Sequence, residues 1–291
     1  MNEIIKDALL DTIKDTATLL PFLFVTYLAM EWIEGRTEDH SVRLLSKVGR
    51  ASHLLGAAIG LIPQCGFSAA AASLYSGGVI TAGTLLAVFL STSDEMLPIF
   101  ISSSVGFASI AKILLFKFVI ALISGIAIDA LLRAIGKGRH KEKHIHDLCE
   151  QDHCGCEDEE GGIVRSALVH TVKITFFIFI VSLAISLLVG FAGKDAVASM
   201  MSDVPALGSF ICGLVGLIPN CAASVVIAEL YLENMLSAGQ MMSGLLVGAG
   251  VGILVLARTN RRPRENVMLI AMLYLCGVVW GLLIDAAGVT F

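Results

Sequence analysis

Gly60-Leu61-Ile62-Pro63-Gln64-Cys65 returns 156 positions later as Gly216-Leu217-Ile218-Pro219-Asn220-Cys221. Two further echoes flank this pair. Ala8-Leu9-Leu10-Asp11-Thr12-Ile13-Lys14 matches Ala167-Leu168-Val169-His170-Thr171-Val172-Lys173, and Gly125-Ile126-Ala127-Ile128-Asp129-Ala130 matches Gly281-Leu282-Leu283-Ile284-Asp285-Ala286. The three pairs occur in the same order at nearly the same offset, so the chain reads as one plan written twice. Repeat 1 spans 1–135, repeat 2 spans 163–291, and a joining segment fills 136–162.

The background of these echoes is apolar. Of the 291 residues 56% are hydrophobic, mean hydropathy is +0.83, and only 15% are charged, against roughly 25% in an average soluble domain. Long uncharged stretches approach the roughly 20 residues that cross a bilayer as helix. The first 36 residues lack the short apolar core and small-residue cleavage site of a removable signal. The expected class is an all-α polytopic membrane protein, with about ten helical segments including broken or re-entrant ones.

The net charge of -5 hides a pattern. Fourteen of the twenty Lys and Arg fall in three groups: Arg36 to Arg50, Arg133 to Arg165, and Arg258 to Arg264. Positive residues favour the cytoplasmic side, so loops 36–52, 133–165 and 258–264 are expected there, in the cell (cytoplasmic) membrane, with both termini outside. Counting crossings between these loops makes the two halves inverted-topology repeats.

Each half holds an apolar run with a break at its middle. Residues 53–76 surround Pro63, which removes a backbone donor and disfavours helix just before it. Twelve helical residues rise only about 18 Å, so a helical hairpin with its tip at mid-membrane fits. The next run meets Ser91-Thr92-Ser93-Asp94-Glu95 after a similar rise, whereas its counterpart in repeat 2 is Gly248-Ala249-Gly250-Val251-Gly252. Gly244, Gly248 and Gly252 form a small-residue face suited to close helix packing.

Paired Gly/Pro interruptions in corresponding places of two apolar halves point to a transporter's binding site. Gln64, Cys65, Asn220 and Cys221 at the tips, with the hydroxyls of Ser91, Thr92 and Ser93, are the candidate substrate-binding residues. Half-helices starting at Gly66 and Ala222 would aim positive dipole ends at the cavity. Asp94 and Glu95, costly inside a membrane, are candidates for binding or coupling an ion, with Glu229 as a third. Asp129 and Asp285 lie near helix ends, and Arg133 stands four residues after Asp129, so they read as interfacial anchors. Lys14 and Lys173 read as side chains reaching the interface.

The joining segment carries His140, His144, His146, Cys149, His153, Cys154 and Cys156 within seventeen residues. Imidazole and thiolate suit zinc and other soft divalent ions. Their irregular spacing predicts a flexible metal-collecting segment rather than a finger. No cofactor beyond such a metal is required.

No phosphate-binding loop, dinucleotide fingerprint, nucleophile elbow or zinc-protease motif occurs, so no enzymatic activity is expected. The basic loops lack interleaved aromatics, which leaves nucleic-acid binding without support.

The duplicated Gly-Leu-Ile-Pro-Gln/Asn-Cys, the Ser91-Thr92-Ser93-Asp94-Glu95 segment and the His/Cys-rich centre resemble the ten-helix heavy-metal exporter family. Its bacterial and archaeal members carry labels such as arsenic efflux protein or manganese transporter. The resemblance implies a secondary transporter exporting arsenite or a divalent cation such as manganese, coupled to H+ or Na+. The partners would be the metal or metalloid and the lipid bilayer, and the chain could form a homodimer. The alternative is a transporter or flippase for an organic anion or lipid phosphate. An intramembrane enzyme using Cys65 or Asp94 is a third, weaker class.

Overall fold

The computed structural model describes residues 52–63, 65–93, 96–136, 207–219 and 221–291, together with scattered positions between 6 and 28 and between 164 and 187. Among the described residues all regular structure is helical. In an apolar medium a helix pairs its backbone groups within one segment, which is what this hydropathy demands. Ten helices are traced from end to end. In repeat 1 they are α1 (Ser52–Gly60), α2 (Cys65–Ser76), α3 (Ala82–Ser91), α4 (Met96–Ser102) and α5 (Phe107–Ala134). In repeat 2 they are α6 (Gly208–Gly216), α7 (Cys221–Leu232), α8 (Ala238–Val247), α9 (Gly252–Thr259) and α10 (Pro263–Ala286). The positions described near the start of each half are also helical. The expected all-α membrane class is therefore what the chain adopts.

The halves pack alike. In the first, α1 and α5 lie on α3, and α2 touches α1 and α3. In the second, α6 and α10 lie on α8, and α7 touches α6 and α8. The two meet where α3 packs on α8, and they exchange arms: α2 lies on α9, while α7 lies on α4.

Side-chain pairings give the directions. Ser52 receives a hydrogen bond from Thr84 at 2.9 Å, Gly56 approaches Thr84 and Val88, and Gly60 approaches Val88 and Ser91. Thus α1 runs parallel to α3. Only residues 77–81 separate α2 from α3, so α2 must carry the chain back, and α1–α2 is a hairpin whose tip lies beside the end of α3. Ser52, Thr84, Asp129, Ser76 and Thr259 are tied together at one end of the molecule through His53, Gly83 and residues 77–81. That end also carries the attachment points of all three basic loops. Gly208, Ser237 and Asp285 gather where the α6–α7 hairpin opens. Because α8 and α9 run on from there to Thr259, this second hairpin opens on the opposite end.

Local chemistry repeats with the same spacing. Thr81 caps α3 by accepting from Thr84 N at 3.1 Å. Ser237 caps α8 by accepting from Gln240 N at 3.1 Å, and the Gln240 side chain accepts in return from Ser237 N at 2.9 Å. This reciprocal box satisfies two amides that a helix start leaves open. The turns after α2 and α7 place Gly78 (φ 77°) and Asn234 (φ 58°) in the left-handed region. Val79 N then closes onto Leu74 O and Met235 N onto Leu230 O, the bond pattern that ends a helix at such a residue.

The echo around Gly125 and Gly281 now has a physical reason. A Cβ on Gly83 would lie 2.2 Å from Gly125 O, and one on Gly239 would lie 2.2 Å from Gly281 O. The backbones of α3 and α5, and of α8 and α10, touch there. One turn further on, Asp129 accepts from Gly83 N and Asp285 from Gly239 N, each at 2.8 Å. Each long helix thus caps the short one it crosses, with a carboxylate at a helix N-terminus where the dipole favours it.

The long helices also form the outer surface. Leu115, Ile126, Val267, Leu275 and Leu283 are more than half exposed on α5 and α10, an apolar face suited to lipid. The broken span Ala238–Thr259 is the interior one: 78% of its most apolar stretch is buried, against 33% for Pro263–Ala286.

Replacing Gly83 or Gly239 by Ala forces a methyl group into a backbone carbonyl. Each variant should lose about 1–3 kcal/mol, the usual penalty of overpacking. Gly106→Ala, with nothing within 4 Å of its Cβ, should melt as the parent does. Thermal unfolding of the purified proteins in detergent checks this, and equal melting of all three variants would contradict the close approach.

Candidate functional site

The site is built where helices stop in the interior. At the tip of the first hairpin, a Cβ on Gly60 would lie 2.0 Å from Ser91 Oγ and 2.5 Å from Val88 O. Only glycine lets α1 press its end onto the end of α3. Beyond it, the Leu61 carbonyl accepts a 2.8 Å hydrogen bond from Ser93 Oγ. The first part of the duplicated motif is therefore a docking device: the tip of the hairpin and the break after α3 form one unit.

The hydroxyls at this break serve the carbonyls freed by the end of the helix. Ser91 Oγ donates to Ala87 O at 2.8 Å or Val88 O at 3.1 Å. Thr92 Oγ1 donates to Val88 O at 2.8 Å. All three residues, 91–93, are buried. Their protons are committed to backbone, which leaves oxygen lone pairs as what they can offer a substrate.

In repeat 2 the same geometry is built without hydroxyls. A Cβ on Gly216 would lie 2.3 Å from Gly244 O. After Val247 the chain turns through Gly250 at φ 52°, and Ala249 N bonds Val247 O rather than Leu245 O. Gly244 packs on Ile227, Gly248 on Ser224, and Gly252 on Phe89 and Ser68. The glycine face is a packing face, and through Gly252 it seats α9 against α2 and α3.

Between the two breaks lies a group that the sequence reading passed over. Lys117, the eleventh residue of α5, is 1% exposed. Its Nζ donates to Thr92 O and, at 2.9 Å, to Leu245 O. These carbonyls belong to the ends of α3 and α8, one from each repeat. The counterpart of Lys117 in repeat 2 is Leu273, also buried. Lys117 is the second lysine of α5, five residues after Lys112 and about 16 Å into an apolar helix; that depth was signal enough, because an ionisable group there marks a functional position by default. Close by, Trp280 Nε1 donates to Ser124 Oγ at 2.9 Å. These are corresponding positions of the two repeats, 156 residues apart.

Asp129 lies at one end of the molecule, but its partner is not the one expected for it. It is buried, and besides capping α3 its Oδ2 lies 2.9 Å from His53 Nε2 on α1. A histidine on the hairpin, rather than Arg133 on its own helix, is the partner described. Asp285 keeps the exposed position, and its second oxygen accepts from Ser237 Oγ at 2.8 Å. The pair therefore ties the first hairpin to α3 and α5, a tie the second hairpin makes differently.

Of the remaining candidates, Cys65 and Cys221 are the first residues of α2 and α7, each one position before the expected helix start. Glu229 lies on the exposed side of α7, eight residues from Cys221 and near the outer end of that helix. It is thus not brought to the tips, and its counterpart Ser73 is buried, donating to Ala69 O at 3.2 Å. Gln64, Asn220, Asp94 and Glu95 lie outside the described residues, as do His140, His144, His146, Cys149, His153, Cys154 and Cys156. Among the described residues no group of three or more His, Cys, Asp or Glu is placed to hold a metal.

Broken helices, hairpin tips and a buried lysine at their junction define a polytopic helical membrane protein with a polar centre. The chain belongs to the family described as "Putative, 10TM heavy-metal exporter", whose model matches residues 2–203. That match covers repeat 1 from residue 2, the joining segment and the start of repeat 2, and ends before α6. No curated protein and no solved structure matches the chain.

The unequal burial of the two aspartates sets an expectation. Asp129→Ala removes a buried hydrogen-bond partner of His53 as well as a helix cap and should destabilise by about 2–3 kcal/mol. Asp285→Ala loses mainly a helix cap, about 1 kcal/mol. Unfolding of the two purified variants by denaturant or heat gives the comparison, and equal losses would show that the His53 contact adds nothing.

Proposed function

We propose that this protein is a secondary transporter that exports a heavy metal or metalloid from the cytoplasm, driven by a coupled ion. The observation that carries this reading is the docking of the duplicated tip onto the break of α3 in a member of a heavy-metal exporter family. Two hairpins opening on opposite ends, with tips at the centre, suit inverted-topology repeats that offer one site to either side in turn. Gln64, Cys65, Asn220 and Cys221 would line that site from the two tips, and the lone pairs of Ser91, Thr92 and Ser93 would complete it. Asp94 and Glu95, next along the chain, would bind the cation or carry the coupling proton. Glu229 sits far enough along α7 to act only as a peripheral charge.

Substrate class follows from donor type. Arsenite is held by thiols and neutral acceptors, whereas manganese prefers carboxylate, amide and carbonyl oxygen. In this reading the His and Cys of 140–156 collect cytoplasmic metal and deliver it to the centre. Basic loops favour the cytoplasmic side, which supports assigning that segment to the cytoplasm of a cell whose plasma membrane would hold the protein. The positive ends of α2 and α7 at the tips favour the second reading, an organic anion or lipid phosphate as cargo.

Inside-out vesicles containing the purified protein should take up one species from a panel of arsenite, Mn, Zn, Cd, Co and Fe, with a proton gradient stimulating uptake. Asp94→Asn/Glu95→Gln should reduce that uptake to background. Cys65→Ser/Cys221→Ser should abolish arsenite transport but spare manganese. Folded protein that moves none of the panel would favour the anion reading.

A further inference from the structure

Lys117 stands at a junction that ordinarily attracts a metal cation. Thr92 O lies at the C-terminal end of α3, and Leu245 O lies in the last turn of α8. Each helix brings about half a negative charge to such an end, and the two ends converge from different repeats. In transporters with broken helices, carbonyls of this kind coordinate the coupling Na+ or H+. The two converging ends favour a positively charged group between them. The lysine stem reaches the junction from α5 and is buried throughout.

We propose that the Lys117 ammonium fills a monovalent-cation site formed by the carbonyls of Thr92 and Leu245, so that the protein carries its own cation where the two repeats cross. The proposal rests on the transport reading for its consequence: Na+ is not required at this junction, and coupling is left to other groups. Only the fixed charge is needed, holding α3 to α8 as a bound ion would. The equivalent position in repeat 2 is the buried, apolar Leu273.

Melting of the full-length protein in detergent tests the site without reference to transport. Samples would contain NaCl, methylammonium chloride or choline chloride at equal ionic strength. The parent should melt alike in all three. Lys117→Met, which keeps the stem and removes the ammonium, should melt at least about 5 °C lower in choline. It should recover most of that loss in Na+ or methylammonium, which fit between the carbonyls. Lys117→Ala should behave likewise with a larger initial loss. A Lys117→Met protein as stable in choline as the parent would overturn the proposal, and so would equal destabilisation in every salt. Should Lys117→Met fail to fold, co-purification with methylammonium decides: recovery of folded protein supports the site and continued failure refutes it. In vesicles, parental transport should persist when choline replaces Na+. A Na+ requirement would sink this proposal and spare the exporter reading. Absence of all transport would sink the exporter reading and leave the melting result to judge the site.

Discussion

Each helix that stops inside this molecule exposes carbonyls or amides to an apolar interior, where an unmet group costs several kcal/mol. The centre of the fold is organised around meeting them. Ser91 and Thr92 turn their hydroxyls back onto α3, Ser93 reaches the Leu61 carbonyl of the hairpin tip, and Lys117 serves one carbonyl from each repeat. At the outer starts of the short helices, Asp129 and Asp285 do the same for amides. The polar residues of this apolar chain are thus concentrated where continuity of the backbone is lost. A polar group that meets such a need is structural first, and any role in binding must use the valences left over.

Duplication explains the framework and its departures explain the chemistry. Positions that fix backbone against backbone are kept in both halves: Gly60 and Gly216, Gly83 and Gly239, Gly125 and Gly281. Apart from Asp129/Asp285 and Lys14/Lys173, positions that carry charge are mostly not. Lys117 faces Leu273 in the comparison, His53 faces Ser209, and the hydroxyl-rich break of repeat 1 faces a glycine-rich break in repeat 2. Close packing of like elements demands the same small residues twice. A central site shared by both halves needs its charge only once, so one copy is free to become apolar.

How much of this was legible depends on which force was being read. The helical class, the pairing of the halves and the two breaks followed from hydropathy, the Gly-Leu-Ile-Pro echo and helix rise, because these are properties of the chain in its own neighbourhood. The sequence also placed the break beside the tip, which Ser93 and Leu61 confirm by their contact. Asp129 was misjudged because Arg133, four residues away, offered a local partner, whereas His53 is 76 positions distant and visible only after α1 folds onto α5. The depth of Lys117 in α5 could have marked it as a candidate, but its partners could not be read, because they are carbonyls at residues 92 and 245, far away in the chain. Glu229 was promoted by its alignment with Ser73, but one helix turns that position inward and the other outward. Repeats share backbone more faithfully than they share environment.

The same distinction bears on how the halves could move. Contacts within a half are backbone-close and rigid: glycine crossings, capped helix starts and, in repeat 1, the His53–Asp129 pair that fastens the hairpin. Contacts between halves include individual side-chain bonds, Lys117 to Leu245, Trp280 to Ser124, Ser76 to Thr259 and Tyr75 to Glu265. Steric crossings of the first kind deform only at the expense of overlap with a carbonyl, whereas a bond of the second kind can be exchanged for another partner. Three of the four join the first hairpin or the long helix of one repeat to the other repeat's α9 or α10, and the fourth is the buried lysine. A shift that presents the centre to the opposite end would therefore exchange this set and also part Gly252 from Ser68 and Phe89, a glycine crossing between the halves. Among its members Lys117 is the one whose release would uncover two helix ends at once, which makes it the bond most strongly linked to whatever occupies the site.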